Sequence, residues 1–126
     1  MSLIAFGVNH RTAPVDVRER IAFGPDRVQE ALKDLIDDCG AREAAIVSTC
    51  NRTEIYTHSE CVVDALVEWL ATSHRMSPET LRPYIYAHTD ESAIRHLMRV
   101  ACGLDSMVLG EPQILGQIKD AFTLAQ

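Results

Sequence analysis

One cysteine, Cys50, stands in a polar corner, Ser48-Thr49-Cys50-Asn51-Arg52-Thr53, between two apolar stretches. Ala44 to Val47 has the continuous apolar character of a buried strand end, and Glu54 to Thr57 alternates like a half-buried strand. A thiol on such a corner is held by rigid strands yet within reach of a substrate. Arg52, two residues on, adds a fixed positive charge that favours thiolate, the nucleophilic form. Free cysteine is also among the most buried residue types and often serves as inert packing. Spacing and neighbours leave both readings open.

The flanking elements must hold this corner in place. Leu3 to Asn9 predicts a first strand with Ile4, Phe6 and Val8 on one face. His10-Arg11-Thr12 follows as a polar corner, with Thr12 placed to cap a short helix that carries Pro14 in its first turn. Gly24-Pro25 starts a second helix, whose stripe is Val28, Ala31, Leu32, Leu35 and Ile36, and Gly40 ends it. After the two strands around Cys50, Ser59 is placed to cap a helix with Val62, Ala65, Leu66, Trp69 and Leu70 in line. Ser77-Pro78-Glu79 begins a short helical turn, and Tyr84 to His88 alternates as a strand. Thr89-Asp90-Glu91 opens a helix with Ile94, Leu97, Met98 and Ala101 on its buried side, and Gly103 stops it. A last helix begins at Gly110-Glu111-Pro112, with Ile114, Ile118 and Phe122 aligned.

The order predicts an α+β fold: a ferredoxin-like βαββαβ antiparallel sheet with helices on one face, then a C-terminal helical extension. Residues 1–126 read as a single domain, with the core over 1–102 and a further segment over 103–126 that ends in a long helix. That helix reaches Gln126 with its apolar period unbroken and no stop signal, as in a chain cut from something longer.

Composition narrows the class. The chain has 126 residues, 47% hydrophobic and 24% charged, in the range of a soluble globular domain. No apolar run has the length of a membrane span, and Met1-Ser2-Leu3-Ile4 lacks the features of a signal peptide, so a cytoplasmic location is expected. Cys39, Cys50, Cys61 and Cys102 have no metal-knuckle or Cys-x-x-Cys spacing, so free thiols and no bound metal are expected. The formal net charge of −6 argues against a general nucleic-acid surface while allowing a local basic patch. No Gly-x-Gly-x-x-Gly follows a strand, so no dinucleotide-binding fold is expected here.

Two long segments carry a resemblance. Ser48-Thr49-Cys50-Asn51-Arg52-Thr53-Glu54 and the run Gly103-Leu104-Asp105-Ser106-Met107-Val108-Leu109-Gly110-Glu111-Pro112-Gln113-Ile114-Leu115-Gly116-Gln117 resemble the two signature stretches of the glutamyl-tRNA reductase family. Gly7 to Pro14 is similar to that family's N-terminus. The resemblance covers the whole chain and implies the family's N-terminal catalytic domain. It implies reduction of the glutamyl group of glutamyl-tRNA to glutamate-1-semialdehyde with NADPH, at the start of tetrapyrrole and haem biosynthesis. The NADPH and dimerisation domains would then lie beyond Gln126. The implied assembly is a homodimer formed through those regions, with the downstream aminomutase a further partner.

The resemblance also implies residue roles. Cys50 matches the nucleophile that forms a glutamyl thioester. His96 matches a histidine tied to activity, a candidate proton donor or acceptor at the leaving tRNA oxygen. Thr49, Asn51 and Arg52 match positions lining the glutamate site. Arg52 suits a substrate carboxylate through its bidentate fork, while Asn51 equally suits a turn through its tolerance of left-handed backbone. Ser106, Glu111, Pro112, Gln113 and Gln117 match the second substrate-contacting stretch. Glu111 would take the α-amino group, or else serve as an ordinary acid near a helix start. Gln113 and Gln117 lie one turn apart. His10 and His88 are weaker candidates, His58 and His74 read as surface residues, and Cys39, Cys61 and Cys102 read as structural. The competing classes are a non-catalytic βαββαβ module that binds a ligand or protein, and a cysteine redox sensor.

Overall fold

The computed structural model of the chain describes residues 2–102. The expected stop at Gly103 and the last helix lie outside the described residues. The elements run β1 (Ser2–Asn9), α1 (Val15–Arg20), α2 (Pro25–Cys39), β2 (Glu43–Ser48), β3 (Arg52–Ser59), α3 (Val63–Ser73), α4 (Pro78–Leu81), a 3-10 turn (Arg82–Tyr84), β4 (Tyr86–Thr89) and α5 (Glu91–Ala101). The four strands form one sheet in the order β2-β3-β1-β4, and every neighbouring pair is antiparallel. This is the α+β, βαββαβ arrangement that the strand and helix order predicts.

Local chemistry accounts for most boundaries. Pro25 occupies the first turn of α2, where its missing N–H costs nothing. Gly40 ends the helix in the left-handed region at φ 65°, and its N–H donates to the Leu35 carbonyl. Two expected caps are corrected. Thr12 does not cap α1, which starts at Val15 after Pro14; its Oγ1 instead accepts the Asn9 N–H at 3.0 Å. Ser59 is the last residue of β3, and its Oγ donates to the Cys39 carbonyl at 3.0 Å, while α3 begins four residues later.

Strand alternation divides the sheet into two unlike faces. Ile4, Phe6, Val8, Ile46 and Ile55 point to one face and pack against Val17 and Ile21 around α1, Leu32 and Leu35 of α2, Leu66 and Leu70 of α3, and Leu81. The opposite face carries Ala5, Gly7, Val47, Glu54, Tyr56, Tyr86 and His88, and α5 covers part of it through Ala93, His96 and Leu97. The expectation of helices on one face thus describes α1 to α3, while α5 lies on the other. The chain crosses at Asp90, whose φ of 50° is outside ordinary helix or strand backbone. Asp90 is tied to the start of β1: its N–H donates to the Leu3 carbonyl at 2.7 Å, and its Oδ1 accepts the Leu3 N–H at 3.1 Å.

The buried stripe of α5 is also corrected. Ala93, His96 and Val100 are buried with Leu97 beside them, whereas Ile94 is 50% and Met98 62% exposed. Both sets have the spacing of an amphipathic stripe, one residue apart. The face beneath offers polar partners at its centre, so the helix is turned to bring His96 inward.

Candidate functional site

Cys50 is exposed at the tip of the β2–β3 hairpin. Ser48 and Thr53 form the last ladder pair, and the Thr49 N–H donates to the Arg52 carbonyl at 2.8 Å, which leaves Cys50 and Asn51 as the loop. Short hairpin loops usually need positive φ, yet Arg75 and Asp90 are the positive-φ non-glycine residues among those described. Asn51 therefore does not use left-handed backbone here. The buried Thr49 holds the turn instead: its Oγ1 accepts the N–H of Asn51 at 3.1 Å and of Arg52 at 3.3 Å.

Arg52 departs from the expected polar corner. It opens β3, is 0% exposed, and places Nη1 3.3 Å from Oε2 of Glu54. The corner shrinks to Thr49–Asn51, and the guanidinium is engaged inside the fold. A strand alternates faces, so Arg52, Glu54 and Tyr56 share the face that lies towards α5.

Glu54 is the centre of that face. Its Oε1 accepts the Tyr56 hydroxyl at 3.0 Å, and its Oε2 accepts both the Tyr86 hydroxyl and Nε2–H of His96. Burial alone would raise the Glu54 carboxyl, but the hydrogen bond and charge of His96, with Arg52 and Tyr86, outweigh it and hold the group below its usual range. Burial, followed by the Glu54 charge, pushes the Tyr86 phenol up, so it stays a donor. A carboxylate only accepts, so Nε2 of His96 carries a proton and Nδ1 is the nitrogen left for exchange. The His96 ring stacks on His88, with centroids 4.6 Å apart and planes at 23°.

His96 also lines a cavity of about 360 Å3 between the turn after β1, strand β4 and α5. Arg11, Arg95, Arg99, His88 and Asn9 lie on its wall. Asn9 pairs with Arg52 across β1 and β3, which puts the cavity at the same end of the sheet as the Cys50 hairpin. The Asn9 side chain fixes that wall, its Oδ1 accepting the N–H of Arg11 at 2.9 Å and of Thr12 at 3.1 Å.

The remaining candidates fall as follows. Ser106, Glu111, Pro112, Gln113 and Gln117 lie outside the described residues. Cys39 is buried, and its thiol is pushed up to about 11, first by burial and then by Cys61. Cys61 donates to the Cys39 carbonyl at 2.7 Å, and Cys102 is exposed just past α5. His74 is not a surface residue: it is half-buried, edge-on to Phe23 at 4.6 Å, and burial holds its ring below the usual histidine value. Glu54, Tyr86 and the three cavity arginines were not singled out by sequence reasoning. The Arg-x-Glu-x-Tyr run, on alternate strand positions, was the available signal for Glu54. Among the described residues, no group of three or more His, Cys, Asp or Glu is placed to hold a metal ion, and no helix is long and apolar enough to cross a membrane.

Known proteins share this chain's sequence and fold. Residues 6–126 match the family described as glutamyl-tRNAGlu reductase, N-terminal domain. The chain is 58% identical over 127 residues to a glutamyl-tRNA reductase of Pseudoalteromonas atlantica, covering 100% of this chain and 30% of that protein. It is 57% identical over 124 residues to one of Nitrosococcus oceani, covering 98% and 30%. The solved glutamyl-tRNA reductase from Methanopyrus kandleri superposes with a TM-score of 0.71 at 30% identity, over 98% of this chain and 28% of that one. The chain thus spans about 30% of the length of these curated relatives. On a match that runs from β1 to Gln126, the chain belongs to the glutamyl-tRNA reductase N-terminal domain family.

Proposed function

We propose that this chain is the acyl-accepting domain of a glutamyl-tRNA reductase. The Cys50 thiolate attacks the carbonyl carbon of the aminoacyl ester of glutamyl-tRNA. An S–C bond forms, the ester C–O bond breaks, and the terminal ribose oxygen leaves. Before the attack His96 takes the Cys50 thiol proton on Nδ1, leaving the thiolate, and it then returns that proton to the leaving oxygen, while Glu54 fixes the ring's orientation and tautomer from behind. Thr49 and Asn51 contact the glutamyl group from the hairpin, and Arg52 supports the site from within by balancing Glu54. Ser106, Glu111, Pro112, Gln113 and Gln117 complete the pocket in this reading. The observation that carries it is an exposed cysteine on a hairpin tip at the sheet end where the Glu54–His96 pair meets a cavity.

The described residues do not fit NADPH. Their sheet is antiparallel throughout and has no parallel βαβ unit with a glycine-rich turn at a helix start. In this reading the chain's own chemistry ends at the thioester. For the longer protein, the same reading takes NADPH as reductant, glutamate-1-semialdehyde as product, a homodimer as assembly, an aminomutase as downstream partner and the cytoplasm as compartment.

The test is incubation of the chain with glutamyl-tRNA, followed by peptide mass spectrometry. A glutamyl adduct on Cys50, absent from Cys50→Ser, is expected. Folded protein with no adduct on any cysteine would leave a non-catalytic binding module as the better reading.

A further inference from the structure

The cavity beside His96 is more basic than acyl transfer to a cysteine requires. Arg11, Arg95 and Arg99 line it, and among the described residues no Asp or Glu does. Such a concentration runs against a formal net charge of −6. Arg95 and Arg99 are four residues apart on α5, a spacing at which like charges repel and weaken a helix. Arg95 is partly offset by Glu91 at 2.7 Å, in a pair that is 72% and 81% exposed. Arg99 has no carboxylate partner among the described residues. The His88–His96 stack adds flat rings to the same wall.

From this juxtaposition we infer that the cavity is a subsite for the phosphodiester backbone at the single-stranded 3′ end of an RNA. The inference rests on the reading that the substrate is an aminoacylated tRNA, and it assigns the grip on that RNA next to the reacting ester. Basic grooves with ring faces are the usual means of holding a single strand without reading its sequence: charge follows the backbone and rings accept bases. One glutamyl carboxylate would be served by one arginine fork. Several arginines spread along a cavity of about 360 Å3 suit consecutive phosphates. The volume is near the small end of ligand sites, about 300–1,000 Å3.

The test measures binding of 5′-labelled glutamate-accepting tRNA to the full chain across a salt series, with both the uncharged and the glutamylated forms. Arg95→Ala/Arg99→Ala is compared with Lys33→Ala, an exposed site on α2 on the other side of the sheet. The double variant is expected to bind both forms about tenfold more weakly, with the salt slope reduced by about 0.7 for each phosphate no longer neutralised. Lys33→Ala is expected to match the wild type. Unchanged binding of uncharged tRNA by the double variant would overturn the subsite, as would no measurable binding by the wild type. Weakening confined to the glutamylated form would make the cavity a carboxylate pocket instead, and equal weakening by Lys33→Ala would make the effect diffuse charge. Acylation of wild-type Cys50 is read in parallel. Its absence counts against the proposed function, whereas acylation together with unchanged RNA binding sinks the subsite alone.

Discussion

The two faces of the sheet are built from the same strands yet do different work. On one, Phe6, Ile55, Leu35 and Leu70 are each 0% exposed and pack as hydrocarbon. On the other, Arg52, Glu54 and Tyr56 belong to a charged and aromatic cluster, with Arg52 at 0% and Glu54 at 1% exposed. Burial of apolar surface stabilises without direction. A buried carboxylate is tolerated only where hydrogen bonds and charge compensate its lost water, and here four side chains supply them. The first face holds the hairpin in place; the second holds a histidine in one orientation beside a cavity.

The largest expected effect separates chemistry from both faces. Cys50→Ser should abolish glutamyl adduct formation while changing unfolding free energy by less than about 0.5 kcal/mol, since an exposed loop tip has little packing to lose. A loss of several kcal/mol in a denaturant titration would instead mean that Cys50 packs into the fold.

The next pair contrasts the faces directly. Phe6→Ala should cost about 3–5 kcal/mol through the cavity it leaves. Glu54→Ala should cost a similar amount, about 3–5 kcal/mol, because it removes the carboxylate facing the buried Arg52. The two should part when apolar residues replace both members of the ion pair. Arg52→Met/Glu54→Leu should regain much of the stability lost by Glu54→Ala, yet acylate far more slowly than wild type. Recovery of acylation along with stability would show that the polar face serves structure alone.

Gly7 tests how closely the strands approach on the polar face. A Cβ there would lie 2.1 Å from the Thr53 carbonyl oxygen, a backbone atom that cannot swing away. Gly7→Ala is expected to cost about 1–3 kcal/mol as overpacking, read from the denaturation midpoint at constant slope. A neutral result would mean that β1 and β3 separate more readily than their register implies.

The smallest effect is with acid, and it tracks both faces in turn. His74 packs with Phe23 and is held below the ordinary value of 6.5, so the fold favours the neutral ring. Its contribution is complete above pH 6.5 and is lost as pH falls below that value. Glu54 is held below 4.5, so its contribution is complete above pH 4.5 and declines as pH falls further. Stability measured by urea titration should fall in two stages, and His74→Gln should flatten the upper one only. A single stage in the wild type would remove His74 from this account.

Much of the fold was readable from side-chain period. The alternation of β1, the glycine stop of α2 and the strands on either side of Cys50 are local patterns, and the structure has them where the pattern puts them, whereas the α2 stripe ends on Cys39 and leaves Ile36 48% exposed. The candidate site was readable in part. Cys50 could be placed on a corner because apolar runs flank it. Arg52 could not be seen as buried, because an arginine beside a polar turn looks solvated until a carboxylate two residues on is known to share its face. Glu54 was hidden for the same reason: one acidic residue in a half-apolar strand has the pattern of an outward position.

The sequence by itself determined the order of elements and the position of the thiol between two strands, because both follow from periodicity and turn chemistry within a few residues. Only the tertiary structure decided that α5 covers the polar face, that His96 rather than Ile94 turns inward, and that Arg52, Glu54, Tyr86 and His96 meet. Those contacts join residues as far apart as Glu54 and His96, and no local pattern encodes them. They form because a buried carboxylate must find donors, and the strand register and the turn of α5 bring those donors to it.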